Sequence, residues 1–152
     1  MEIWQEMLGN QVLVSSVIGW VVAQALKTII DFSLNKSFSA ERLVGSGGMP
    51  SSHSATVCAL VVSTAFCYGV SAFEFAVSFV LAAVVMYDAI GVRQETGKQA
   101  RLLNMILEQD LFKLNNHQFQ ERLKEFVGHT PLQVFAGAVL GILLAVLVNL
   151  AY

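Results

Sequence analysis

The sequence predicts an all-α integral membrane bundle of about four transmembrane helices, with an amphipathic helical segment on its cytoplasmic face. Three observations lead there. Of the 152 residues, 55% are apolar and only 13% charged, about half the charged share of a soluble domain. The apolar residues are gathered into runs as long as a bilayer is thick, about 20 residues each. The basic residues all fall on one side of those runs. The length fits one domain, residues 1–152.

Four runs qualify as spans. They lie at about 11–30, 53–71, 73–92 and 131–151. The second and third are almost contiguous and predict a tight helical hairpin. Residues 95–127 carry most of the charge, yet Leu103, Ile106, Leu107, Leu111 and Leu114 recur at helical spacing. They predict either an amphipathic helix on the membrane surface, broken near Asn115–Asn116, or a connecting helix packed on the bundle. Cys58 and Cys67 sit in one apolar run at a spacing that fits no metal site, and are read as small buried hydrophobes. The net charge of −2 leaves no footprint for nucleic acid. The first ten residues contain no Lys or Arg, unlike a cleavable signal peptide.

All nine Lys and Arg lie at the inner end of the first span or within residues 31–52 and 93–130. By the positive-inside rule both long loops face the cytoplasm or its equivalent, and both termini face out. A bacterial inner membrane and a plastid membrane both fit.

With that orientation the second and fourth spans begin on the same face. Ser51 or Ser52 can cap the second, and Thr130 the fourth, with Pro131 in its first turn. Each beginning offers free backbone N–H groups and a positive dipole end, a ready anion site. Glycines at 45, 47 and 48 allow close approach of a ligand. Each beginning also carries a histidine, His53 and His129. A histidine pair beside an anion site suits phosphoryl transfer: one ring attacks phosphorus and the other protonates the leaving oxygen. Arg42, Arg93, Lys98 and Arg101 share that face, and Lys27 can snorkel toward it. His117 has no such setting and reads as a surface residue. Asp88 ends the third span, where lipid and the helix dipole both disfavour a carboxylate. It either orients a histidine or a basic phosphate ligand, or forms an ion pair that fixes the helix end.

Three stretches, "SGGMPSSHSA" (46–55), "MYDAIGVRQETGKQA" (86–100) and "GHTPLQVFAGAVLG" (128–141), together resemble the divergent branch of the type 2 phosphatidic acid phosphatase superfamily, related to acid phosphatases and vanadium-dependent haloperoxidases. The resemblance runs from about Gln24 to Leu147. It implies that His53 is the general acid, His129 the nucleophile, and Ser51 a phosphate ligand beside Ser52. The parent pattern has an Asp four residues after the nucleophile, where this chain has Gln133, and an Arg six residues before it, where this chain has Leu123. Gln133 is then the histidine-orienting residue without the charge. Lys27 and Arg42 stand in for the parent's first motif. Either another carboxylate such as Asp88 substitutes for the missing Asp, or catalysis is weak; Asp88 and Arg93 take their roles by position alone.

The expected activity is a lipid phosphate or lipid pyrophosphate phosphohydrolase working through phosphohistidine, with no metal or cofactor and with a membrane lipid as partner. The alternative is a non-catalytic membrane protein that keeps the site for binding phosphorylated head groups or a partner, favoured by Gln133 and Leu123. A small transporter, suggested by Gln24 and Lys27, is a third reading. Gly137 and Gly141 form a Gly-x-x-x-Gly face for close packing, within the bundle or between subunits of a homo-oligomer.

Overall fold

The protein is described by a computed structural model covering residues 2–36, 48–108, 123 and 128–152. Every regular element in it is a helix: α1 (Glu2–Gly9), α2 (Gln11–Asn35), α3 (Ser52–Tyr68), α4 (Phe73–Ile90), α5 (Val92–Glu108) and α6 (Pro131–Ala151). Three helices are long and apolar enough to cross a membrane: Gln11–Ser33, the continuous stretch from Phe73, and Pro131–Ala151. The fourth apolar helix, α3, has 17 residues. At 1.5 Å per residue it is about 25 Å long, roughly one turn short of a hydrocarbon core. Its position explains the tolerance. It is the central helix and packs against α2, α4 and α6, so neighbouring helices rather than lipid cover much of it.

Local chemistry sets the ends. Asn10 caps α2 through a 3.0 Å bond from Leu13 N–H to its side chain. Ser51 caps α3 by accepting from the Ser54 N–H at 3.3 Å. Thr130 and Gln133 form a reciprocal capping box at α6, with Pro131 in its first turn. The predicted hairpin between α3 and α4 is present; it turns on Gly69, at φ 84°, a region that glycine enters without strain.

Packing is inverted relative to a soluble protein. The buried apolar residues are small: Ala23, Ala55, Ala59, Ala82, Ala89 and Ala145 among them. The large ones, such as Phe73, Phe79, Leu143 and Leu147, point outward. Lipid is as apolar as leucine, so helices associate through close backbone approach instead. Glycines provide it. A Cβ on Gly19 would lie 3.1 Å from the Ala55 carbonyl oxygen. One on Gly137 would overlap the Ser51 carbonyl, and one on Gly141 the Ala55 carbonyl. The Gly-x-x-x-Gly face of α6 therefore meets α3 within the bundle.

At the end of the bundle opposite the start of α3, polar side chains tie the helices together. Gln11 donates to Asn149 at 2.7 Å, and Asn149 donates to Ser63 at 2.8 Å. Cys67 is exposed rather than buried, a departure from expectation. Its thiol faces this cluster, donating to Gln11 Oε1 at 3.4 Å.

Two further features differ from expectation. Residues 2–9 form a helix of their own, with Ile3, Trp4 and Leu8 exposed. The segment expected to start near 95 begins at Val92, as a helix separated from α4 only by Gly91. It runs to Glu108, and apart from Leu123 the expected helix over 109–127 lies outside the described residues, as do Arg42, Gly45, Gly47 and His117.

Candidate active site

The beginnings of α3 and α6 lie side by side. The Ser51 N–H donates to the Gln133 carbonyl at 3.0 Å, and Gly137 lets the Ser51 backbone sit directly on α6. Two positive helix ends thus converge, and the free first-turn N–H groups of α3 belong to Ser52 and His53.

The third motif is seated on the second. His129 N–H donates to the Ala89 carbonyl at 3.1 Å, at the end of α4. Gly128, at φ 105°, lies so close to α5 that a Cβ would be 2.6 Å from the Arg93 and Gln94 backbone. Ala89 and Gly128 carry no functional side chain, so nothing in residue type marks them. Gly128→Ala is expected to lift His129 off this seat, lowering thermal stability by about 1–3 kcal/mol and any His129-dependent activity with it; thermal unfolding in detergent checks the first.

The result is a cavity of about 220 Å³ lined by His53, Val84, Val85, Asp88, Ala89, Arg93, Gly128 and His129. The two imidazole centroids are 6.2 Å apart, inclined at 58°. His53 is exposed, whereas His129 is 3% exposed.

The hydrogen bonds around His129 determine its tautomer. The Thr130 N–H donates to Gln133 Oε1 at 3.0 Å, so that atom must be the amide oxygen. The same oxygen lies 3.3 Å from His129 Nδ1. An oxygen without a proton can only accept, so Nδ1 carries the hydrogen and Nε2 keeps its lone pair. Nε2 is buried and has no hydrogen-bond partner. Burial is the main influence on His129 and lowers its pKa below the ordinary 6.5; the Gln133 bond opposes this, and His53, Lys27 and Arg93 add to the lowering. A neutral ring with a free Nε2 is therefore its form near pH 7.

The other expected residues divide. Asp88 and Arg93 line the cavity, joined by a 2.6 Å bond from Arg93 Nε to the carboxylate. Asp88 therefore holds a basic residue at the rim. It does not replace the missing carboxylate beside His129, a place that Gln133 occupies. Lys27 is 2% exposed, so it is enclosed and does not snorkel to the surface. Its Cγ and Cδ pack at Gly48, and its charge acts on His129. Since α2 continues for eight residues beyond Lys27, Lys27 is set back by about 12 Å from the C-terminal end of that helix. Ser51 and Ser52 are buried but do not line the cavity. The Ser51 oxygen accepts from Ser54 N–H and Oγ, so it caps α3 in the position where a phosphate contact was expected. Lys98 pairs with Glu95 at 2.6 Å and is well exposed. Five residues along one helix turn it about 140° from Arg93, away from the cavity. Among the described residues near the loop, Asn104 brackets Leu123, donating to its carbonyl at 2.9 Å and accepting from its N–H at 3.1 Å, a contact that no local sequence signal marks.

Comparison with known proteins identifies the family. A profile of the Divergent PAP2 family, named for the type 2 phosphatidic acid phosphatases, matches residues 8–144. The chain belongs to that family. It is 38% identical over 156 residues to the membrane protein YuiD of Bacillus subtilis (strain 168), covering 97% of this chain and 98% of that protein. With three apolar helices long enough to span, this family member is an integral membrane protein. No solved structure matches the chain.

Proposed function

We propose that this protein is a membrane lipid phosphate or lipid pyrophosphate phosphohydrolase that works through a phosphohistidine at His129. The observation that carries the reading is the buried, unpartnered Nε2 of His129, on a residue that lines a cavity together with a second histidine. The spacing suits the chemistry. In-line attack needs about 3 Å from nitrogen to phosphorus and a hydrogen bond of about 2.8 Å from the acid to the leaving oxygen. With the breaking P–O bond between them, the two nitrogens stand roughly 7 Å apart, within reach of rings whose centroids are 6.2 Å apart.

In the proposed reaction the Nε2 lone pair of His129 attacks phosphorus. The P–O bond to the lipid breaks, and protonated His53 delivers its proton to the departing oxygen. Water then attacks the phosphohistidine while His53 takes a proton from it, releasing phosphate and restoring both rings. The two helix beginnings, Arg93 and Lys27 oppose the charge on the phosphoryl oxygens. Attack makes the His129 ring cationic, and the neutral Gln133 oxygen stabilises that cation less than a carboxylate does.

Gln133→Glu keeps both the bond to Nδ1 and the capping box. It is expected to raise kcat by about tenfold or more, since carboxylates in this position are worth orders of magnitude elsewhere. It also sets a pH test. His129 attacks only when neutral, so kcat/KM falls as pH drops through its free-enzyme pKa, which lies below 6.5. An added carboxylate favours the charged ring and raises that pKa, so the acid limb of Gln133→Glu should move to higher pH. A limb that stays in place contradicts the assignment.

The second reading, a head-group-binding protein without turnover, draws on the same glutamine. Head-group binding without phosphate release from any lipid phosphate would establish it. The transport reading finds no path among the described residues, because Gly19, Ala55, Ala59, Gly141 and Ala145 fill the bundle between the polar cluster around Asn149 and the histidines.

A further inference from the structure

A second cavity of about 220 Å³ lies between α3, α4 and α6, walled by Cys58, Val61, Ala82, Met86, Phe79 and Ile142 among others. It is almost wholly apolar. Its rim residues Phe79, Ala83 and Ile142 are exposed on the outside of the bundle, where lipid lies. It is separate from the histidine cavity but borders the same helix. Ala82 and Met86 line this cleft while Val85 and Ala89 line the other; residues 82, 85, 86 and 89 form one stripe along α4. From Asp88 at the rim of the histidine site to Ala82 is six residues of helix, about 9 Å or roughly seven methylene groups.

We infer that this cleft seats the hydrocarbon chain of the same lipid whose phosphate lies between His53 and His129. The inference rests on the proposed function for the head group, and adds where the chain goes. Burial from water cannot be the driving force, because a chain leaving the bilayer for the cleft exchanges one apolar surrounding for another. Selection comes from tethering. Once the phosphate is held at the helix beginnings, the first methylenes have a high effective concentration at the cleft. A competing seat is the outer face of α4, where Ala76, Val77, Val80, Leu81 and Val84 line a shallow depression. That face is made by a single helix, whereas three helices wall the cleft.

The test reads position without requiring turnover. Full-length protein in detergent is irradiated with dodecyl phosphate bearing a diazirine near the seventh carbon. Labelling should concentrate on Val61, Phe79, Ala82 and Ile142, and dodecanol carrying the same diazirine should not reproduce it. Ala83→Trp and, separately, Ile142→Trp fill the cleft from opposite rims and should each reduce that labelling by at least about fivefold. They should also raise KM for dodecyl phosphate while leaving phenyl phosphate, which has no chain, unchanged. Labelling centred on Val77, Val80 and Leu81, or labelling unaffected by both tryptophans, overturns the inference. Cleft labelling without phosphate release overturns the hydrolase reading and leaves the chain seat standing.

Discussion

His129→Ala is expected to lower phosphate release from lipid phosphates by at least about 10³-fold, because the attacking atom is gone. His53→Ala should lower it by about 10²–10⁴-fold, and the two losses should differ in kind. A general acid matters in proportion to the basicity of the leaving oxygen. With p-nitrophenyl phosphate, whose leaving group departs without a proton, His53→Ala should recover most of its activity and His129→Ala none. The check is kcat/KM for both substrates on both variants, with thermal unfolding to establish that each is folded. His129 is buried and hydrogen-bonded through Nδ1, so His129→Asn serves as a second variant if alanine unfolds the protein. Equal losses on both substrates would remove the distinction between nucleophile and acid.

The second large effect is structural. Gly141→Ala places a methyl group on the Ala55 carbonyl, and Gly137→Ala one on the Ser51 carbonyl. These are backbone atoms of the central helix and cannot rotate aside. Each variant should lose about 1–3 kcal/mol or more of stability through forced separation of α3 and α6. The consequences for the site differ with depth. Gly137 lies against the residue that caps α3, two positions before His53, so its substitution moves one histidine relative to the other. Gly141 lies one turn further from the site. Activity per folded molecule should therefore fall much more in Gly137→Ala than in Gly141→Ala. Gly9→Ala, where a Cβ meets nothing within 4 Å, is the control and should change neither. Unfolding curves and active-fraction measurements on the three variants test the scheme.

These glycines also show which parts of the molecule a sequence reveals. The start of α6 was legible, because Thr130, Pro131 and Gln133 form a local capping signal. The same holds for α3, with Ser51 as its cap. The convergence of His53 and His129 followed from two helix beginnings on one face, a property that charge asymmetry and capping jointly encode. What escaped was encoded in tertiary contacts. Lys98 shares α5 with Arg93 but not a face of it, and helical phase could be counted only once the helix was known to start at Val92. Ser51 was expected on a phosphate; the structure shows its oxygen capping α3, a second use of the same hydroxyl. Asp88 drew attention through its unfavourable place at a helix end. The ion pair with Arg93 answers that problem locally, five residues away, and leaves Gln133 as the partner of His129. The seat made by Ala89 and Gly128 has no signature in residue type, since it uses a carbonyl and the absence of a side chain.

The most direct test of the central claim is to trap the phosphoryl group. Protein incubated briefly with a ³²P-labelled lipid phosphate and quenched in alkali should retain label that is stable to base and labile to acid, as a phosphoramidate is, and peptide mapping should place it on His129. Label on His53 or on a carboxylate, or phosphate release at full rate with no covalent label under any quench, would contradict the account.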